Sequence, residues 1–488
     1  MNEQSNSQAN DTITSQIHEF KPIVPDSRSS IEQSVQILEN ETKIYKKINQ
    51  SITKSEDKKV SELPTKSTVI GATFMLTNIC LGTTIFTFAV RAKTFGLVWL
   101  VVATIVVGII NYWTITRGAT ASSKCKEDDF SEITERILGR KARIILNILL
   151  ILYSYACMMC FLALLFPLFG RFILSAAYRN DYESYELFEE KKWGKAYIKY
   201  PFFVGIAFII SLICLIKDIN KLNFSAYIGV GAVMYTLLVI TIQCHDYFNY
   251  YKKTKYKKED KSTHPNWANI ANAFTKELDF FKGMANLFCA YACHPGIFPV
   301  YAGFKFQENG LHKMKLGTFF ATCLTTALHI ISIVCSFLTD PITPEDLIIF
   351  RKNKGNGRDI AMTISKLFIV FSLVFTLPGY YFSLRLSIAN SFTGGKISNK
   401  FNYIFTFASV FACSAIAAVY DKILNYLSYI GGFISVFICY LIPILIYVYS
   451  SGKSPFYWKN LIEIILAIIL CIIGVIAGIL TLIDDIKN

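Results

Sequence analysis

Apolar stretches about 20 residues long recur eleven times between residues 68 and 483 of this chain. A helix needs that length to cross the hydrocarbon core of a bilayer, and a soluble fold has no place to bury so many. The stretches fall at roughly 68–90, 95–117, 144–175, 201–217, 223–243, 282–303, 315–338, 360–384, 401–420, 424–450 and 459–483. Hydrophobic residues make up 53% of the chain, and the mean hydropathy is +0.40. The expected fold class is therefore an all-α polytopic membrane protein, integral and multi-pass, with about eleven transmembrane helices.

The remaining composition narrows the function. The formal charge of +14 is spread over loops, and no basic helix with interleaved stacking aromatics lies outside the apolar blocks. Nucleic acid is thereby excluded as a partner; the lipid bilayer is the surrounding phase. Nearly all of the 13 cysteines sit in apolar blocks, Cys80, Cys157, Cys160, Cys214, Cys289, Cys323 and Cys439 among them. There they behave as small hydrophobes, and neither a disulfide framework nor a zinc spacing is present. Cys125 and Cys244 are expected in loops on opposite sides of the membrane. Residues 1–66 are polar throughout, so the first membrane helix is expected to act as the targeting signal. This region reads as a disordered tail with a short helix around Ile31–Ile48, ahead of a membrane domain over 67–484.

Two loops stand out. In CKEDDFSEITERILGRKAR (125–143), Phe130, Ile133, Ile137 and Leu138 recur at helical spacing, predicting an amphipathic helix at the membrane interface. The loop 244–281 is the most basic. Placing the N-terminus inside puts Arg117, Lys124, Lys126, Arg136, Arg140, Lys141 and Arg143 on the inner side, and those loop lysines on the outer. The tally is nearly level, and the positive-inside rule selects neither topology.

Two of the spans carry their own interruptions. The first, GATFMLTNICLGTTIFTFAV, contains Asn78, Gly82, Thr83, Thr84 and Thr87. The sixth contains CAYACHPGIFPVYAGF, where Pro295 and Pro299 each remove a backbone donor and His294 adds a polar ring. The two breaks lie five spans apart, so each opens a group of five. Discontinuous helices at matching places in two halves point to a 5+5 inverted-repeat transporter, whose unwound backbone binds substrate or ion. Such groups are tolerated only where they line a cavity.

Four stretches carry a family resemblance: FMLTNICLGTTIF, DFSEITERILGRKAR, FCAYACHPGIFPVYAGF and FTLPGYYFSLRLSI, the last with Pro378 and Arg385. Together, over roughly Thr68 to Leu480, they resemble the amino acid/auxin permease family, which includes vacuolar amino acid transporters and sodium-coupled neutral amino acid transporters. The resemblance implies the inverted-repeat fold of bacterial leucine transporters, with broken helices one and six. It also implies a cytosolic N-terminus, making residues 1–66 a cytosolic tail. In one respect the sequence departs from the family: its break reads Gly-Ser-Gly, and here Gly82-Thr83-Thr84 replaces the second glycine with a β-branched residue. The expected pocket is correspondingly smaller, or the substrate sits differently in it.

The candidate substrate-binding residues are Asn78, Gly82, Thr83, Thr84, Cys293, His294 and Gly296, and no catalytic residue is expected. Asn78 also reads as a helix-packing amide, and His294 as a ring that satisfies carbonyls freed by Pro295. The sodium-coupled relatives place an Asn and a Thr at a cation site, which Asn78 and Thr376 match; Thr376 equally reads as bonding back to its own helix. Arg385 is expected as an interfacial anchor, and Asp484 and Asp485 as solvated charges. No Asp or Glu stands in the apolar core to orient His294 or His329, which argues against an enzyme. The expected function is secondary active transport of small neutral amino acids by alternating access, coupled to Na+ or H+, with no cofactor. The expected location is the plasma membrane or a vacuolar or lysosomal membrane. The rival expectation is an amino acid sensor of the same fold, signalling through its tail with little flux.

Overall fold

The computed structural model describes residues 67–82, 84–125, 127, 129–177, 196–215, 223–254, 279–339, 347–351, 359–392, 398–420, 422–452 and 454–487. The tail and its Ile31–Ile48 helix, residue 83, and the basic run after residue 254 lie outside the described residues. From Lys66 onward the chain forms one compact unit.

Span one consists of α1 (Val69–Leu81), a 3-10 turn (Thr84–Thr87) and α2 (Phe88–Phe95). It is bent by 46° at its break. Thr68 caps α1, its hydroxyl accepting from the Gly71 N–H at 3.0 Å. There follow α3 (Leu97–Cys125), α4 (Phe130–Leu138), α5 (Arg140–Ala177), α6 (Ala196–Cys214) and α7 (Asn223–Thr254). Span six is α8 (Asp279–Ala290), a 3-10 turn (His294–Gly296) and α9 (Ile297–Ala302). Next come α10 (Gly310–Thr339), α11 (Ile360–Phe392) and α12 (Asn399–Val419). Span ten runs from α13 (Ile423–Tyr429) through two π-helical stretches, Ile430–Ser435 and Phe437–Leu441, into α14 (Ile442–Ser450). Helix α15 (Trp458–Lys487) completes the set.

Among the described residues eight helices are long and apolar enough to cross a bilayer, and the bent pair of span one makes a ninth. The apolar part of α6, Ile198–Cys214, is shorter, and span six is interrupted. Eleven apolar segments thus occupy the eleven expected positions, in an all-helical, multi-pass membrane protein. Large side chains such as Ile109, Phe208, Ile242 and Ile404 stand exposed on the helix surfaces, as a lipid solvent requires.

Several expectations need correction. Helix α4 buries its apolar face against protein: Ile133 is fully enclosed, and Phe130 stacks on Phe298 of span six at 4.4 Å. The Asp129 carboxylate caps α4, accepting from the Ser131 and Glu132 N–H groups at 2.8 and 3.0 Å. Cys244 lies within α7 rather than in a loop, because that helix runs on to Thr254. Arg385, half-buried, lies 3.4 Å from Asn402 Oδ1 and over the Phe382 ring of its own helix. Asp485 accepts from Tyr420 (2.5 Å), Lys422 (2.8 Å) and Tyr429 (3.1 Å), and Asp484 pairs with Lys282. Those two carboxylates tie the end of α15 to spans six, nine and ten.

Close backbone contact sets span ten. A methyl on Gly432 would meet the Gly474 carbonyl oxygen at 2.6 Å and the Gly478 nitrogen at 2.9 Å, and one on Gly431 would overlap the Ala285 carbonyl oxygen of α8. Small residues let membrane helices approach this closely. Gly431→Ala is expected to destabilise the folded protein by at least about 1–3 kcal/mol, as overpacking does. Gly205→Ala, where a methyl meets nothing within 4 Å, should leave the melting temperature in detergent unchanged. Equal melting of the two variants would refute this packing.

Candidate functional site

The break in span one begins at Gly82, where φ is 25° and ψ is −160°, a region that disfavours a side chain. The chain resumes as the Thr84–Thr87 turn, and its freed carbonyls are taken up by hydroxyls. Thr87 donates to Thr84 O at 2.7 Å, and Ser332 of α10 donates to Ile85 O at 2.5 Å. The Thr87 oxygen in turn accepts from Asn286 Nδ2 of α8 at 3.0 Å. This last bond joins the two interrupted spans directly.

Span six unwinds between Ala290 and His294. Short-range bonds persist, Cys293 N donating to Tyr291 O at 2.9 Å and Gly296 N to Cys293 O at 2.9 Å. The Ala292 carbonyl is met from α5 by the Tyr153 hydroxyl at 2.9 Å. Asn111 Nδ2 of α3 reaches Cys293 Sγ at 3.9 Å. His294 is fully enclosed, with Nε2 2.8 Å from the Thr114 hydroxyl. That hydroxyl directs its own proton to the Ile110 and Asn111 carbonyls, each at 3.1 Å. The hydrogen bond between His294 and Thr114 thus ties the span-six break to span two.

Two cavities flank the breaks. The smaller, about 30 Å³, lies at Gly82 and is lined also by Asn78, Phe86, Phe161, Ser372, Thr376 and Tyr380. The larger, about 260 Å³, extends from Asn78 and Gly296 past Tyr153, Ser154 and Thr376 to Asp129 and Asn390 beside α4. Its wall draws on spans one, three, six and eight. On the opposite face, the described turn Ile348–Phe350 is buried and packs on the Thr84–Thr87 turn. Arg171 donates to the Phe350 carbonyl at 2.9 Å. Nearby, Arg351 bonds Gln243, lies 3.6 Å from Asp359 and covers the Tyr247 ring. Protein thus closes this face, while the larger cavity leads toward α4.

The sequence-predicted residues divide accordingly. Asn78 and Thr376 line both cavities, Gly82 the smaller and Gly296 the larger. Gly229 of α7 lies so close to Asn78 that a methyl there would overlap the amide. The Thr376 hydroxyl donates to Ser372 O at 2.7 Å, leaving its oxygen able to accept. Cys293, His294 and Thr84 are buried and line neither cavity. Among the described residues no group of His, Cys, Asp and Glu is arranged to hold a metal ion.

Residues that sequence reading passed over include Tyr153, Ser154, Tyr380, Asn286, Ser332, Asn111 and Thr114. Asn111 and Asn286 did carry a signal, as lone amides inside apolar runs. The hydroxyls carried none, since serine, threonine and tyrosine recur along these helices without special roles.

Comparison with known proteins follows from this geometry. Sodium-coupled neutral amino acid transporter 7 of Xenopus laevis is 19% identical over 316 residues, covering 63% of this chain and 63% of that protein. The Homo sapiens protein of that name is 20% identical over 329 residues, covering 65% and 64%. The chain thus spans just under two thirds of the length of the curated relatives it matches. Among solved structures, the substrate-bound outward-open state of a Na+-coupled sialic acid symporter is similar, at 11% identity and a TM-score of 0.46, covering 85% of this chain and 90% of that one. The sequence profile of the family described as transmembrane amino acid transporter protein matches residues 65–486, and the chain belongs to that family.

Proposed function

We propose that the protein moves small neutral amino acids across its membrane by alternating access, with Na+ as the coupling ion. The observation that carries this reading is the larger cavity, which runs from Asn78, ahead of the span-one break, and Gly296, in the span-six break, toward α4. Its volume of about 260 Å³ lies near the lower end for ligand pockets, roughly 300–1,000 Å³, and suits a small solute. With the N-terminus cytosolic, as the family resemblance implies, the cavity faces the cytosol. Protein packed over Thr84–Thr87 closes the other side, as one half of an alternating cycle requires. Purified protein in liposomes is expected to accumulate labelled alanine, serine or glutamine. A panel of all common amino acids giving neither flux nor binding would overturn the reading.

The sodium reading is supported by Asn78 and Thr376, which bring an amide and a hydroxyl to the same two cavities beside the unwound Gly82. Oxygen donors at an unwound segment are what a hard monovalent cation takes. Uptake should rise with external sodium, and Asn78→Ala should weaken apparent sodium affinity several-fold more than substrate affinity. Uptake that follows an imposed pH gradient without sodium, and collapses in His294→Ala, would replace sodium by the proton.

Thr84 offers a further check. Its side chain lines neither cavity, so Thr84→Gly should leave the ranking of alanine, leucine and phenylalanine in competition assays unchanged. A shift of the ranking toward the larger side chains would place this residue against the substrate.

A further inference from the structure

We propose that Ser154 reads the side chain of the transported amino acid and selects hydroxyl- or amide-bearing neutral side chains over apolar ones of equal size. The inference rests on the amino acid transport reading above and adds its substrate class.

Ser154 lies on α5 and lines the larger cavity, yet only 1% of it is exposed, and its hydroxyl has no hydrogen-bond partner. A serine inside a membrane helix has a ready partner in the carbonyl four residues back. This protein uses that partner repeatedly: Thr104 bonds Leu100 O at 2.7 Å, Ser211 bonds Ala207 O at 2.7 Å, and Thr236 bonds Ala232 O at 2.8 Å. Ser154 does not. A buried hydroxyl left without a partner is costly unless something else completes it.

Three other polar side chains on the wall are already committed. Tyr153 bonds the Ala292 carbonyl, Thr376 bonds Ser372, and Ser131 donates to Asn147 Oδ1 at 2.5 Å. The Tyr153 bond also fixes α5 against the span-six break, so Ser154 is held in place one residue further on. Among the described residues on the wall, Asp129 alone is charged, and its Oδ1 is engaged in capping α4. Beside Ser154 there is thus no side-chain cation for an acidic substrate and no carboxylate for a basic one. An uncharged polar group is what the hydroxyl matches, as donor or acceptor. A site that hydrogen-bonds a substrate hydroxyl discriminates strongly against the isostere lacking it, since the buried protein group is then unsatisfied.

Threonine and valine are the sharpest pair for a test, being nearly equal in shape. Wild-type protein in liposomes should take up threonine in preference to valine, by roughly tenfold in kcat/KM. Ser154→Ala and Ser154→Cys should bring the ratio close to one by losing threonine uptake while keeping that of valine. Ser154→Thr, which retains the hydroxyl, should restore the preference. Valine uptake in the same vesicles verifies that each variant is folded. A ratio unchanged in both the alanine and cysteine variants, or no preference in the wild type, overturns the role of Ser154 and leaves amino acid transport standing. A wild-type protein that moves no amino acid overturns both.

Discussion

Inside a bilayer an exposed backbone amide or carbonyl has no water to turn to, and each one left unsatisfied costs several kcal/mol. Spans one and six accept that cost at their breaks, and much of the surrounding structure answers it. Ser332 reaches Ile85 from α10, Tyr153 reaches Ala292 from α5, and Thr87 folds back onto Thr84. Tyr153 comes from α5, which also walls the larger cavity, so that one helix both stabilises unwound backbone and shapes the pocket.

The charges serve the ends of the helices. Beside α4, Arg117 pairs with Glu463 at 2.5 Å and donates to the Tyr447 hydroxyl at 3.1 Å, joining spans two, ten and eleven. At the other face, Asp484 and Asp485 gather Lys282, Lys422 and two tyrosines. Between these belts the wall of the larger cavity holds hydroxyls and amides, with its one described charge, Asp129, at the α4 end. Charged groups kept near the ends avoid the desolvation that a mid-membrane position would impose.

The sequence made the spans and their two breaks legible because both follow from local chemistry. Apolar runs of helix length register as spans, and Gly82 and Pro295 mark their interruptions, while Pro299 is accommodated in the first turn of α9. The side chains that complete the breaks were not legible in that way. Tyr153 and Ala292 lie 139 residues apart, and Ser332 and Ile85 lie 247 apart; nothing near either residue announces its partner. Asp485 and Tyr420, 65 residues apart, are likewise brought together only by the helix packing. His294 illustrates the opposite case. Its residue type drew attention, while its surroundings give it a hydroxyl partner away from both cavities.

At the α4 face, Ser67 N donates to Gly303 O at 3.1 Å, and Gln307 Nε2 reaches back to Ser67 O at 2.8 Å. The first residues of span one and the last of span six are thereby clasped together. Through these two bonds a displacement of either half-helix at this end is shared with the other, so the two sides of the pocket are coupled where they leave the membrane domain.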